Sequence, residues 1–477
     1  LITFTQLDVL LDYPTIKNYY KIYNLFTHNG FYDNFNIETL NKNIIQAIKT
    51  NHIKNGNAPS DSLQGITQLT RNLVSLLTNP SLKDLLKQRK DKIENAIIVS
   101  TGPSLIKQLP LLKEYANKAS IICADSAYPI LAKHNIKPDY VLMLERDDVV
   151  TKCFDNDFKE FDNGILFVLA SVVHQKAIEY LKRNNRQFML VHRPLPFSKA
   201  LHMDDYGYLG TGMSVANMAY ELAIKLGHKN IILIGQDLAY DENGNSHPKE
   251  YLHTQESEND RKTDLFITAY GGNGKVETNI YWDIFRKTFQ RDIELVKKIN
   301  ITTYNATEGG ARIEGALEIT FSKICKEFLK KTKPHFAFPI KNQEKLKKCI
   351  TKTHFTIDKQ LSILSKYLQQ GKDLLSQINK ILENKSNKNI LSLIKKIDSF
   401  KLKVYKNPFI KSELFEPLFF HLESNLATIY VKSINTEKEK ALKNIEWLNA
   451  NKEWLENFIS FLTIQNEAIK KVDFKAL

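Results

Sequence analysis

Between residues 91 and 330, short apolar runs rich in β-branched residues alternate with stretches of helical spacing. The runs fall at 96–100, 120–124, 140–144, 165–170, 188–191, 231–235 and 301–304. Strands that are apolar nearly throughout, separated by helices, predict a parallel sheet covered on both faces. Upstream, residues 1 to about 90 mix short apolar segments with helix-like stretches and reach a polar break at 55–61. From Thr67 to Arg89, Leu69, Leu73, Leu76 and Leu77 recur at helical spacing, which predicts one helix leading into the sheet. After residues 333–339 the strand pattern ends. Long Leu/Ile/Lys helices follow, broken at 384–389 and at Asn407-Pro408, as in an antiparallel bundle. Trp447, Trp454, Phe458 and Phe461 read first as bundle core and second as a partner-binding stripe.

The expected architecture is therefore α/β, with a central Rossmann-like, mostly parallel sheet and helices on both faces. A smaller N-terminal mixed α/β domain would span 1–90, the Rossmann-like domain 91–335 and a C-terminal helical domain 336–477. At 477 residues, two or three cores are expected. No uncharged apolar run approaches the roughly 20 residues that cross a bilayer, and Leu1–Leu11 lacks the basic flank of a signal peptide. Cys123, Cys153, Cys325 and Cys349 lie far apart, which excludes a C-x-x-C knuckle and suits a cytoplasmic protein. Cys123 reads as a core residue. The net charge of +14 comes mostly from Lys on helical faces. Arg, the usual reader of guanine, is scarce, so no nucleic-acid partner is expected.

In open α/β sheets ligands bind at the carboxyl ends of strands, so the residues after each run are the candidates. The first run ends in Thr101, Gly102, Pro103 and Ser104 before a helix. A tight turn and free helix-start N–H groups suit an anion, although the Lys of a P-loop is missing. Asp125-Ser126 and Glu145 follow the next two runs, with helix capping as the alternative for Asp125-Ser126 and a solvated loop for Asp147-Asp148. Gly210, Thr211, Gly212 and Ser214 precede a second helix, which leads into a strand closing with Gly235, Gln236 and Asp237. His247, in a polar loop, is a candidate general base or simply a surface residue, and His253 competes with it. The 270–275 segment reads as a ligand-covering loop. Asn305, Thr307, Glu308, Gly309 and Gly310 follow the last run, where they could grip a base or ribose.

Taken together, Ser100–Leu105, Asp125-Ser126, Pro138-Asp139 with Glu145, Gly210–Ser214, Gly235–Tyr240 with His247, and Asn305–Ala311 resemble the motility-associated factor glycosyltransferases of flagellated bacteria. Their order and spacing over about 240 residues carry the resemblance. The resemblance implies transfer of pseudaminic or legionaminic acid from a CMP-activated donor to Ser or Thr hydroxyls of flagellin. It also implies a central domain similar to bacterial sialyltransferases that use CMP-sialic acid. Gly102, Ser104, Thr211, Gly212 and Ser214 would then hold CMP, while His247, Asp237 and Glu145 would act catalytically. No cofactor is required; Mg²⁺ is optional, on Asp237 and Glu145. Two alternatives remain: a Mg²⁺-dependent pyrophosphokinase of the pterin type and a non-catalytic flagellin-binding accessory protein.

Overall fold

A computed structural model describes residues 10–11, 13, 16, 22–24, 37–55, 58–252, 265–341, 343–384 and 389–472. The chain divides into two compact units. One comprises 1–67, 195–201 and 354–471, and the other 68–194, 202–353 and 472–477. This cut differs from three consecutive segments, because the beginning of the chain groups with its helical end.

The second unit holds the sheet. Its strands are β1 (Asn95–Val99), β2 (Ser120–Ala124), β3 (Tyr140–Met143), β4 (Leu166–Ala170), β5 (Gln187–Val191) and β6 (Asn230–Ile234). They continue with β7 (Leu265–Thr268), β8 (Lys275–Thr278), β9 (Thr302–Asn305) and β10 (Leu317–Glu318). Eight of them form one parallel sheet in the order β10-β9-β6-β1-β2-β3-β4-β5. All seven apolar runs are strands, displaced by no more than a residue at either end. Every residue of β1 to β4 is buried, which is why these strands read as unbroken apolar runs. The chain winds outward from β1 to β5, then returns to lay β6 on the other flank of β1. That reversal opens a crevice beyond the carboxyl ends of β1 and β6.

β7 and β8 pair as a separate antiparallel hairpin around the 270–275 segment. Its base is stitched to the loops after β6 and β9: Tyr240 N–H donates to the Glu277 carbonyl, Tyr270 N–H to Gly310 and Arg312 N–H to Thr268. The expected single helix over 67–89 is two helices, Pro59–Thr78 and Leu82–Arg89. Pro80 cannot donate the helical hydrogen bond, and Ser81 with Asp84 closes a capping box that starts the second helix. Among the described residues before Lys90 there are helices and no strand.

The first unit holds the helices Ile37–Asn55, Ile390–Tyr405, Phe415–Tyr430 and Glu437–Lys470, and most of Gln343–Glu383. Trp454 and Phe458 are buried and stack at 5.2 Å between centroids, so these two belong to the core, while Trp447 and Phe461 are half-buried. No described helix is long and apolar enough to cross a membrane. Cys123, Cys153 and Cys325 are buried and all four thiols are free. Burial pushes the Cys123 thiol well up, as expected of a core residue.

Candidate active site

The crevice is built on the turn that leaves β1. Gly102 N–H donates to the Gly235 carbonyl at 2.7 Å, drawing the turns after β1 and β6 together. A Cβ on Gly102 would stand 1.9 Å from Asp237 Oδ2 and 2.6 Å from the Gly235 oxygen, so only glycine fits. The helix Leu105–Tyr115 begins at once, and its cap residue Ser104 meets Asp237. Ser104 Oγ donates to Oδ2 at 2.7 Å, and Ser104 N–H lies 3.3 Å from both carboxylate oxygens. Where a ligand phosphate is expected, the helix start meets a carboxylate of the chain itself. Burial raises the Asp237 pKa to about 6, against the opposing pull of the Ser104 hydrogen bonds.

The glycine loop before Val215–Lys225 repeats the arrangement. Gly210 and Gly212 N–H groups donate to the two oxygens of Glu221, at 2.8 and 3.1 Å. Burial raises the Glu221 pKa, and the loop amides oppose the rise. Ser214 caps its own helix: its Oγ accepts from Asn217 N–H at 3.1 Å and donates to Asn217 Oδ1 at 2.7 Å. Thr211 is exposed. At both expected phosphate cradles the amides and hydroxyls meet a carboxylate of the chain itself.

Asp125, at the end of β2, is buried and incompletely satisfied. Its Oδ1 accepts from Ser126 N–H at 2.8 Å, while Oδ2 has no partner. Burial raises its pKa to about 7, and the negative charge of Glu145 adds to the rise. Ser126 does not cap with its side chain; its hydroxyl pairs with Thr101 Oγ1 at 3.0 Å. Glu145 is exposed, and Asp148 is a solvated residue paired with Lys176 at 2.5 Å.

The loop after β9 closes the other flank. Thr307 Oγ1 accepts from Gln236 N–H at 3.3 Å, and Ser100 Oγ donates to Gln236 Oε1 at 2.7 Å. Asn305 is fully buried, and its Nδ2 has no partner. Gly310, at φ +69°, lies so close that a Cβ would meet the Asp237 carbonyl at 2.3 Å; Gly309 faces the Asp237 carboxylate and Ser104. Glu308 turns elsewhere and accepts from Phe321 N–H at 2.8 Å, at the start of the helix Phe321–Phe328. It holds a helix rather than facing the crevice.

His247 lands on the β1 turn. Its Nδ1 lies 2.7 Å from the Thr101 carbonyl, which can only accept, so Nδ1 carries the proton and Nε2 the basic lone pair. Its ring stacks on Tyr251 at 3.9 Å. The structure thus brings together Thr101, Gly102, Ser104, Asp125, Ser126, Gly235, Gln236, Asp237, His247, Thr307 and the 309–310 glycines. His253 lies outside the described residues.

Three polar residues at this site were not singled out from the sequence. Besides Glu221, Gln108 accepts from Gly235 N–H at 3.1 Å and donates to the Ala306 carbonyl, and Arg193 Nε donates to Gly210 at 3.1 Å. Gln108 could have been noticed as a polar residue on the face of Leu105, Leu109 and Leu112. Among the described residues no group of three or more His, Cys, Asp or Glu is placed to hold a metal ion. A separate cavity of ≈ 730 Å³ opens at the amino edge of the sheet, around Asn95 and Asn230, away from these groups.

Residues 67–243, under half of the chain, match the family described as 6-hydroxymethylpterin diphosphokinase MptE-like. Among solved structures, the chain is similar to a Maf glycosyltransferase from Magnetospirillum magneticum AMB-1, with a TM-score of 0.55 and 16% identity. The match covers 92% of this chain but 64% of that one, so this chain spans less than two thirds of its neighbour. At that identity the likeness is one of fold. No curated protein matches the chain significantly.

Proposed function

We propose that the chain is a glycosyltransferase that moves a nonulosonic acid, pseudaminic or legionaminic, from its CMP-activated form to Ser or Thr hydroxyls of flagellin in the cytoplasm. The observation that carries this reading is His247, fixed in one tautomer by the Thr101 carbonyl at the mouth of the β1/β6 crevice. The likeness of fold to a Maf glycosyltransferase supports it.

The acceptor oxygen would attack the anomeric carbon as the bond from that carbon to the CMP phosphate breaks. His247 Nε2 would take the hydroxyl proton, and CMP would leave with the bonding electrons. The amides and hydroxyls near Ser104 and along 210–214 would receive the phosphate, which competes with Asp237 and Glu221 for donors they hold without ligand. Because these donors come from the chain itself, the reading requires no metal, and Mg²⁺ on Asp237 and Glu145 is optional.

Flagellin co-expressed with the chain and a pathway making the CMP-sugar should gain whole nonulosonate masses by intact mass spectrometry. An unchanged flagellin mass would remove the acceptor from the proposal. The MptE-like match over 67–243 favours one other reading, Mg²⁺-dependent pyrophosphoryl transfer from ATP to a pterin.

A further inference from the structure

The helix that leaves the β1 turn carries a cation beside the Ser104 cradle. Ser104 and Gln108 both meet the turn after β6, Ser104 at Asp237 and Gln108 at Gly235 N–H, and this fixes the rotation of the helix Leu105–Tyr115. Lys107 then lies about 60° round the axis from Ser104, on the side away from Gln108. A helical side chain leans toward the N-terminus, so one at this position runs back over the turn that Ser104 opens. Lys107 is exposed, and among the described residues its ammonium has no hydrogen bond or ion pair. Its charge still reaches the cradle: burial raises the Asp237 pKa, and Lys107, after the Ser104 hydrogen bonds, is among the groups that oppose the rise.

An exposed lysine on a helix is ordinarily a solvated charge of little consequence. Lys107 differs in its place. The strand ends around it carry carboxylates, Asp125 and Asp237 buried and Glu145 exposed, while the proposed donor brings a phosphate. The turn itself lacks the lysine of a P-loop, and the fold sets one at the third position of the helix instead. We propose that Lys107 is the cation that meets the departing phosphate of the CMP-sugar, a role that rests on the CMP-sugar reading of the crevice. As the bond between the anomeric carbon and the phosphate oxygen breaks, its electron pair stays on that oxygen. The phosphate passes from one negative charge to two, while Lys107 keeps its proton and acts by charge alone. Ser104 and the 210–214 loop supply hydrogen bonds of fixed direction, and Lys107 adds a point charge on a long stem. An attraction that grows as the phosphate leaves lowers the barrier more than it tightens the bound donor.

A charge series at this one position, read by calorimetry with CMP on the full chain, separates charge from packing. Lys107→Arg should bind CMP within a few fold of the parent, Lys107→Met about tenfold more weakly, and Lys107→Glu more weakly again. Turnover of the CMP-sugar with flagellin should fall in the same order. The losses should shrink as salt is raised, and Lys113→Met, in the last turn of the same helix, should bind as the parent does. Circular dichroism checks that each variant is folded. If the parent binds CMP and Lys107→Met and Lys107→Glu bind it equally well, the role of Lys107 is overturned and the CMP-sugar reading stands. An arginine variant as weak as the methionine one would overturn it too, because the loss would not follow charge. A parent chain that binds no CMP would overturn both.

Discussion

Replacing His247 with alanine is expected to lower turnover of the proposed transferase by about a hundred- to ten-thousandfold. Donor affinity should change only a few fold. The asymmetry follows from what the ring does. Its Nδ1–H bond to the Thr101 carbonyl fixes orientation and tautomer, which makes Nε2 the basic nitrogen. The donors expected to meet the phosphate belong to Ser104 and the 210–214 loop, so removing the imidazole leaves them in place. His247→Gln keeps a polar group of similar reach but no base, and should be nearly as impaired. The check is CMP release under saturating donor and flagellin, beside a donor-binding isotherm. Undiminished turnover in His247→Ala would take the base role from this residue.

Asp125→Asn is expected to stabilise the fold at pH 8 while impairing activity. Asp125 is buried, one of its oxygens has no partner, and its pKa is raised to about 7. An unfolded aspartate ionises near the usual 3.8. Between those values the native state holds a proton that the unfolded chain has released. Stability is therefore lost as pH rises through this window, and the loss is complete above it. Asparagine resembles the protonated acid and carries no such penalty. The shift corresponds to an advantage on the order of 2–4 kcal/mol at pH 8, or several degrees in melting temperature. The two proteins should converge below about pH 3, where Asp125 is protonated in both states. The raised Asp237 and Glu221 are present in both proteins and cancel. Denaturant unfolding of both across pH 4–8 measures the difference, and a gap independent of pH would contradict the assignment.

Much of the sheet was legible because its inner strands are buried on both faces, so Ile97, Ile98, Ile121 and Ile122 leave no room for polar alternation. The β7/β8 hairpin was missed because its residues are largely part-exposed, so nothing marks the glycines at 271, 272 and 274 as a turn between strands. The helix break at Asn79–Ser81 was signalled by Pro80 and Ser81 but outweighed by leucine spacing on either side. In the site, the glycine turns announced themselves because close backbone approach demands them, as Gly102 and Gly310 bear out. Glu221 and Gln108 did not. Each is one polar residue on a helix, and its meaning depends on a loop brought to it only by folding.

The same dependence bears on the opening turn. Its sequence suggests a vacant phosphate cradle, whereas in the fold Asp237 occupies it. The reading of the crevice as a CMP-sugar site thus requires that a ligand phosphate compete with this carboxylate. The pKa of about 6 eases the exchange, because a protonated Asp237 is the weaker competitor. Calorimetry on the purified chain with CMP, CDP, ATP and GTP, the ATP arm run with Mg²⁺, tests this most directly. The account predicts selective CMP binding that weakens on Ser104→Ala or Thr211→Ala. Tight binding of ATP with Mg²⁺ and none of CMP would contradict it.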